Sequence, residues 1–275
     1  MPLADMHIHS IYSDGTFSPE EIVQRAKQNG VGLLAVCDHN VIKGSIAVEP
    51  LARAAGIRFL PGVELDSMLL GLDTHILCYG ADFTDEKLLE VIRHARARLD
   101  WMSDELCARM CPDYPQMSVA EYESTAHDTA RGGWKLLQYM ADKGVTDGMH
   151  GGYHFYDDYG VTYASAGFRE AEEVIAAIHN AGGCAVLAHP GVTFKKDPEL
   201  IGRGLEAALA CGVDGVECFY PKHSLELTQT LLRFCEKHGL STTAGSDCHG
   251  AFGSADVGQT CTEIGALNLA HPVFA

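Results

Sequence analysis

The chain alternates between short apolar runs and longer stretches in which apolar residues recur every three or four positions. The runs at 3–8, 32–37, 57–64, 74–80, 184–188, 215–219 and 240–244 predict strands. Several are continuously apolar, as a parallel strand covered on both faces should be. The periodic stretches predict helices at 18–29, 46–55, 84–111, 132–143, 170–180, 198–210 and 224–238, with a further capped start at Ser118. Ser18-Pro19-Glu20-Glu21 places a hydroxyl at the N-cap, proline at the first helical position and acids in the first turn. Residues 70–73 read as a turn, and 146–166, rich in Gly, Tyr, His and Asp, as a loop. The strand-helix rhythm breaks after residue 83 and resumes near 167, with only helices between. Strands alternating with helices imply an α/β domain with a parallel sheet or barrel. The expected organisation is a (β/α) barrel from 1–83 and 167–275, with 84–166 inserted as a helical lid over the active face.

The ends of the runs carry the chemistry. They are His7/His9, Asp38/His39, Glu64, His189, Glu217 and Asp247/His249, with His75 on the strand after Glu64. Residues i and i+2 of a strand share a face, so His7 and His9 reach one point without a bend. In a (β/α) barrel all strand C-termini gather on one face. Residues scattered over the whole chain would then meet in one pocket. A single histidine is well explained as a satisfied core residue; histidines and acids confined to strand ends, with Leu, Val, Ala and Cys inside the strands, are not. One tetrahedral zinc takes four ligands. Four or more histidines with at least three carboxylates suit two or three ions, with Glu64 or Asp247 bridging. Nitrogen and oxygen donors without thiolate favour Mn, Zn or Fe. Clustered ions suit phosphoryl chemistry, because they generate hydroxide at neutral pH and neutralise phosphate charge.

Composition narrows the partners. Thirty-seven acidic against 20 basic side chains give a net charge of −17 over 275 residues, which repels duplex nucleic acid. No apolar run approaches the length of a membrane span, and the start of the chain has no signal-peptide pattern. The ten cysteines have no paired spacing, and several sit in apolar runs. Buried free thiols and a cytoplasmic location are expected. His94, His179 and His238 fall near helix ends and need no special role.

His7-x-His9 with Ser13-Asp14-Gly15, Cys37-Asp38-His39-Asn40, Pro61-Gly62-Val63-Glu64, Ala188-His189-Pro190-Gly191 and Gly245-Ser246-Asp247-Cys248-His249 together resemble the motifs of the PHP family (polymerase and histidinol phosphatase). The resemblance covers roughly 1–80 and 168–260. It implies a distorted (β/α)7 TIM-like barrel of the amidohydrolase type holding two or three divalent ions. By the same resemblance, His7, His9, Glu64 and Asp247 would hold one ion, Glu64, His75 and His189 a second, and Asp14, His39 and His249 a third. Asp38 would orient a ligand imidazole. Lys222 and His223, after the run 215–221, look like the basic pair that contacts phosphate in stand-alone members acting on nucleotide phosphates. Arg131 looks like an arginine over the substrate, and Asn40 joins the substrate contacts. One position departs: after His189-Pro190-Gly191, where such members often have arginine, stands Val192, with Lys195 and Lys196 further on.

The implied activity is hydrolysis of a small phosphate ester, a nucleotide 3′,5′-bisphosphate or cyclic phosphodiester, by a metal-bound hydroxide. Glu64, Asp247 and a protonated His223 would take catalytic parts. The alternatives are a short-oligonucleotide exonuclease, a histidinol-phosphate-type phosphatase, a C–N bond amidohydrolase and a metal-stabilised docking module.

Overall fold

The computed structural model describes residues 1–275 and shows an α/β fold with two sheets. The chain runs β1 (Leu3–Asp5), α1 (Pro19–Gln28), β2 (Val31–Leu34), α2 (Lys43–Ala54), β3 (Arg58–Phe59), β4 (Gly62–Leu69) and β5 (Leu72–Tyr79). A helical stretch follows: α3 (Glu86–Met110), α4 (Val119–Ser124), α5 (Lys135–Asp142), α6 (His154–Asp158) and α7 (Tyr163–Ala166). The alternation then resumes with α8 (Ala171–Asn180), β6 (Cys184–Leu187), α9 (Pro190–Thr193), α10 (Pro198–Cys211), β7 (Gly215–Phe219), α11 (Leu225–His238) and β8 (Ser241–Ala244). The cap expected for the first helix forms: Ser18 Oγ accepts from Glu21 N while Glu21 accepts from Ser18 N.

The first three strands pair in parallel, and the other five form a second sheet in chain order. The all-parallel expectation fails in that second sheet, where β5 is antiparallel to both β4 and β6. The cause is local. Leu69 pairs with Leu72, so only Leu70 and Gly71 turn the chain, and both hold positive φ (54° and 73°). Two such residues make the tight turn whose twist matches a hairpin. The single strand expected at 57–64 is instead split at Leu60-Pro61. Proline has no N–H for a ladder. The loop expected at 146–166 is also corrected, since α6, α7 and a 3₁₀ turn at Met149–Gly152 lie there. α7 is started by a reciprocal cap between Thr162 and Ser165.

No closed hydrogen-bonded barrel forms, but the sheet edges are stitched together. Met6 N donates to Ala244 O at 2.8 Å, and Ile8 makes a parallel bridge to Cys248. At the other side His39 makes a parallel bridge to Glu64, and Asn40 N donates to Glu64 O at 2.8 Å. Between the sheets lies a core of 13 buried residues drawn from both, including Met6, Leu33, Leu77 and Val186. Tyr79 crosses it to donate to Met6 O at 2.8 Å.

The helical stretch packs a core of its own, 17 buried residues including Leu106, Leu137, Met140 and Phe155. Met68 of β4 and Phe252 belong to the same cluster and join it to the strand ends. All ten cysteines are free, and only Cys261 is exposed. No helix is long and apolar enough to cross a membrane.

Leu106 is fully buried in the helical cluster. Leu106→Ala is expected to cost about 2–5 kcal/mol, seen as a lower urea midpoint. An unchanged midpoint would mean that this cluster adds nothing to the cooperative unit.

Candidate metal centre

Glu64 sits near the start of β4 with its carboxylate fully buried, and five imidazoles converge on it. His75 Nδ1 lies 2.9 Å and His189 Nε2 3.1 Å from Oε1. His7 Nε2 and His9 Nε2 each lie 3.2 Å, and His39 Nδ1 3.4 Å, from Oε2. The i, i+2 logic for His7 and His9 holds in space, since their Nε2 atoms are 3.1 Å apart. Asp247 Oδ1 stands 3.1 Å from His9 Nε2 and 3.5 Å from His249 Nδ1. Asp14 accompanies them, 3.5 Å from His9 Nδ1 and 3.3 Å from His249 Nε2. All nine residues expected as ligands are thus brought to one place. The grouping is more interwoven than three separate triads. His9 lies with Asp14, His39 and His249, His7 with Glu64 and His189, and His39 with Glu64 and His75.

Backbone strain accompanies the gathering. Asn40, His189 and Asp247 all hold positive φ (51°, 25° and 53°). Such strain persists only where the surroundings over-determine it.

The donors fit divalent cations. His9 Nδ1, Asp14 Oδ1, His39 Nδ1 and Glu64 Oε2 are buried without a hydrogen-bond partner. An unsatisfied buried polar atom costs about 1–3 kcal/mol, so a cation among them removes a standing penalty. Burial disfavours charge on these groups, but their mutual attraction outweighs it. Glu64 and Asp247 are held well below the carboxylate range by the imidazoles, and Asp14 is lowered too. His39 is raised to about 9 by Glu64, Asp66 and Asp14 in spite of burial, and His249 to about 10 by Asp14 and Asp247.

Outer partners aim the ligands. His7 Nδ1 donates to Glu217 Oε1 at 3.0 Å, leaving Nε2 to face Glu64, and Glu217 Oε2 accepts from His189 N at 2.9 Å. Tyr220 OH donates to Asp247 Oδ2 at 2.9 Å. Asp66 is the residue sequence reasoning missed. It pairs across the hairpin with His75, its Oδ1 lies 3.1 Å from His75 Nε2, and Tyr163 OH donates to that same oxygen. The signal was present, because Glu64-x-Asp66 repeats the same-face spacing of His7-x-His9.

Four expectations are corrected by hydrogen-bond partners. Asp38 orients no imidazole: it accepts from Ser10 N at 2.7 Å, Ser10 Oγ at 2.7 Å and Ser13 Oγ at 2.6 Å, bracing the loop that carries Asp14. Asn40 is turned inward, with its amide bonded at both ends to Asp66. His223 donates from Nδ1 to Cys218 O at 3.1 Å and accepts at Nε2 from Gly191 N at 3.1 Å. Burial lowers its pKa, so it is a neutral strut without a free proton for a leaving group. The Arg131 guanidinium forks onto Asp142 at 2.8 Å through both terminal nitrogens instead of facing the cluster. Lys222 does reach the site, on the wall of a cavity of about 270 Å³ that Asp247, His249, Tyr220 and His150 also line.

On the other flank His75 and His189 open into a larger cavity of about 400 Å³, walled mainly by the helical stretch and rimmed by Val192. A separate Cys184–Asp214–His271 group lies away from this centre. Asp214 there is already occupied by Ala185 N at 2.8 Å and His179 Nε2 at 2.9 Å.

Comparison with known proteins places the chain among others. A family model described as PHP domain matches residues 5–183. The chain is 32% identical to the 3′,5′-nucleoside bisphosphate phosphatase of Chromobacterium violaceum over 273 residues, covering 93% of this chain and 90% of that one. It is 29% identical to a 5′-3′ exoribonuclease of Haemophilus influenzae over 262 residues, covering 93% of each. A solved structure described as a proposed metal-dependent phosphoesterase of Bifidobacterium adolescentis superposes with a TM-score of 0.76 at 24% identity, covering 95% of this chain and 92% of that one. At that identity the likeness is one of fold.

Two outcomes follow from the geometry. Without metal, the ion pairs of His39 and His249 stabilise the fold fully below the usual 6.5 and are lost as pH rises through about 9 and about 10. An entering cation must displace those protons, so Mn²⁺ added at pH 7.5 should release protons into weak buffer and bind more tightly as pH rises. Uptake with no proton release would contradict the charge pattern. Gly44→Ala would place a Cβ 1.8 Å from Asp38 Oδ2 and 2.5 Å from Ser10 Oγ. It should loosen the Asp14 loop and lower metal content per chain, measured by mass spectrometry, with the circular dichroism of the fold kept.

Proposed function

The chain belongs to the PHP domain family, and on that premise we propose that this hydrolase, a metal-dependent phosphoesterase, acts on small nucleotide-like phosphate esters, a nucleoside bisphosphate or cyclic phosphodiester first among them. The observation that carries the reading is the convergence of five imidazoles on Glu64 beside a polar cavity holding Lys222. His7, His9 and Asp247 would hold one cation with Glu64 shared, His75 and His189 a second with Glu64, and Asp14, His39 and His249 a third. Bound there, divalent ions supply a nucleophile from water at neutral pH and offset phosphate charge.

The chain's own residues do the rest. Glu217 and Asp66 hold the His7 and His75 rings in the tautomer and direction the centre needs. Tyr220 fixes one oxygen of Asp247, which stays ionised and is the carboxylate placed to take a proton at the cavity wall. Lys222 offers an ammonium to phosphate oxygens as a point charge. His223 acts at one remove, tying Gly191 and so the turn after His189 to the end of β7.

In this reading the two sheets are halves of a distorted (β/α)7 barrel with the chemistry at one end, and residues 84–166 are its lid. The stitched sheet edges and the aromatic wall that the helical stretch gives the larger cavity support this. A second reading, a short-oligonucleotide exonuclease, is favoured by the likeness to the Haemophilus influenzae protein along nearly the full length.

The test is hydrolysis with added Mn²⁺, with products separated by chromatography, across a panel: a nucleoside 3′,5′-bisphosphate, a cyclic nucleotide, a mononucleotide, histidinol phosphate and a short RNA. Cleavage of one or two small esters, to free phosphate from a monoester or to a monoester from a cyclic diester, abolished by chelator, is expected. Glu217→Gln should lower activity or metal affinity by roughly 10–100-fold, and His9→Ala by at least as much. A metal-loaded protein that hydrolyses none of them would move the assignment to C–N bond hydrolysis.

A further inference from the structure

The two cavities flanking the centre differ in charge and in surface. The smaller carries Lys222, His150 and His249 beside Asp247. The larger carries no lysine or arginine. Its polar edge includes two carboxylates, Asp73 and Asp157, and its walls are largely aromatic and apolar. Neither carboxylate is spent on an ion pair: His75 pairs with Asp66, and His154 with Asp158. A phosphate would be repelled here, whereas a group offering N–H donors would be held.

The rings are not equivalent. Trp134 has the Arg96 guanidinium 5.2 Å over one face and the His39 ring 5.9 Å away. Tyr163 is stacked on Phe168 at 4.1 Å. Tyr156 is held at its hydroxyl by Ser103, 3.3 Å away, and Tyr153 is the most exposed ring of the wall, at 42%, as is Val192. At about 400 Å³ the cavity is of small-molecule size, and its wall reaches His75 and His189 of the centre.

We propose that this cavity is a nucleobase subsite, in which the base lies against Tyr153 and presents adjacent N–H donors to Asp73 and Asp157, so that guanine is preferred over adenine and cytosine, and uracil is the weakest. Guanine offers N1–H and the N2 amino group side by side, a match for carboxylate acceptors. Uracil offers one N–H flanked by two carbonyl oxygens, which face the carboxylates unfavourably. The proposal rests on the phosphoesterase reading for the direction of the substrate: phosphate at the centre and toward Lys222, base on the far side.

The first measurement is quenching of tryptophan fluorescence by the four plain nucleosides, with chelator present so that no reaction contributes. Guanosine should bind about tenfold or more tightly than uridine, the scale of one hydrogen bond to a charged group. Asp157→Asn and Asp73→Asn should each shrink that ratio, whereas Tyr153→Ala should weaken all four nucleosides together. Alongside it, KM is compared for guanosine, uridine and base-free ribose phosphate esters with Mn²⁺. Equal affinities for all four nucleosides, or equal KM with and without a base, would overturn the subsite. Guanosine binding with no ester hydrolysed would leave the subsite standing and overturn the phosphoesterase reading instead.

Discussion

The buried carboxylate of Glu64 is the charge on which the rest of the centre depends. Five imidazoles lie within 3.4 Å of it, from four different places in the chain. Five such rings could not crowd together in a dry interior without an anion among them. The anion in turn could not stay ionised there without them. Neither partner is stable in place alone, so the strand ends must arrive together. The positive φ at Asn40, His189 and Asp247 is a cost that this mutual need sustains. The pairing leaves five nitrogen and oxygen atoms of the gathered residues unsatisfied, and that residue of unmet bonding is what suits the centre to cations rather than to a closed salt-bridge network.

The hairpin between β4 and β5 is the second device. A purely parallel sheet would have put Glu64 and His75 on separate strand ends with a helix between them. The Leu70-Gly71 turn instead folds β5 straight back, so that Asp66 and His75 become direct neighbours. The antiparallel pair thereby supplies the central carboxylate, one of the rings that converge on it and the partner that orients that ring, from only a dozen residues.

Much of this was legible in the sequence because strand geometry has a period of two and strand ends have polar punctuation. His7-x-His9, the isolated Glu64 and Asp247-x-His249 announce themselves in that way. Direction of pairing was not legible, because it turned on two residues at positive φ, one of them a leucine that seldom adopts it. The partner of a polar side chain was no more legible. Asp38, Asn40 and His223 look available in a motif; in the fold Ser10, Ser13, Asp66, Cys218 O and Gly191 N had already engaged them. Spacing says which residues can meet, and competition among neighbours decides which are left over.

The acidic surface and the centre are consistent with each other once size enters. A net charge of −17 repels a polyanion laid across the surface, since many phosphates then sit within the screening length of about 8 Å at physiological salt. A small ester meets few surface carboxylates on its way in. On the proposed reading its phosphate is drawn in only at the last step, by cations among the ligands and by Lys222 on the cavity wall. The uncharged end is then free to lie where Asp73 and Asp157 exclude a second phosphate. On that reading an acidic surface outside, with a lysine on one flank of the centre and two unpaired carboxylates on the other, selects for size and for orientation at once. Neither selection requires the enzyme to read a sequence of bases.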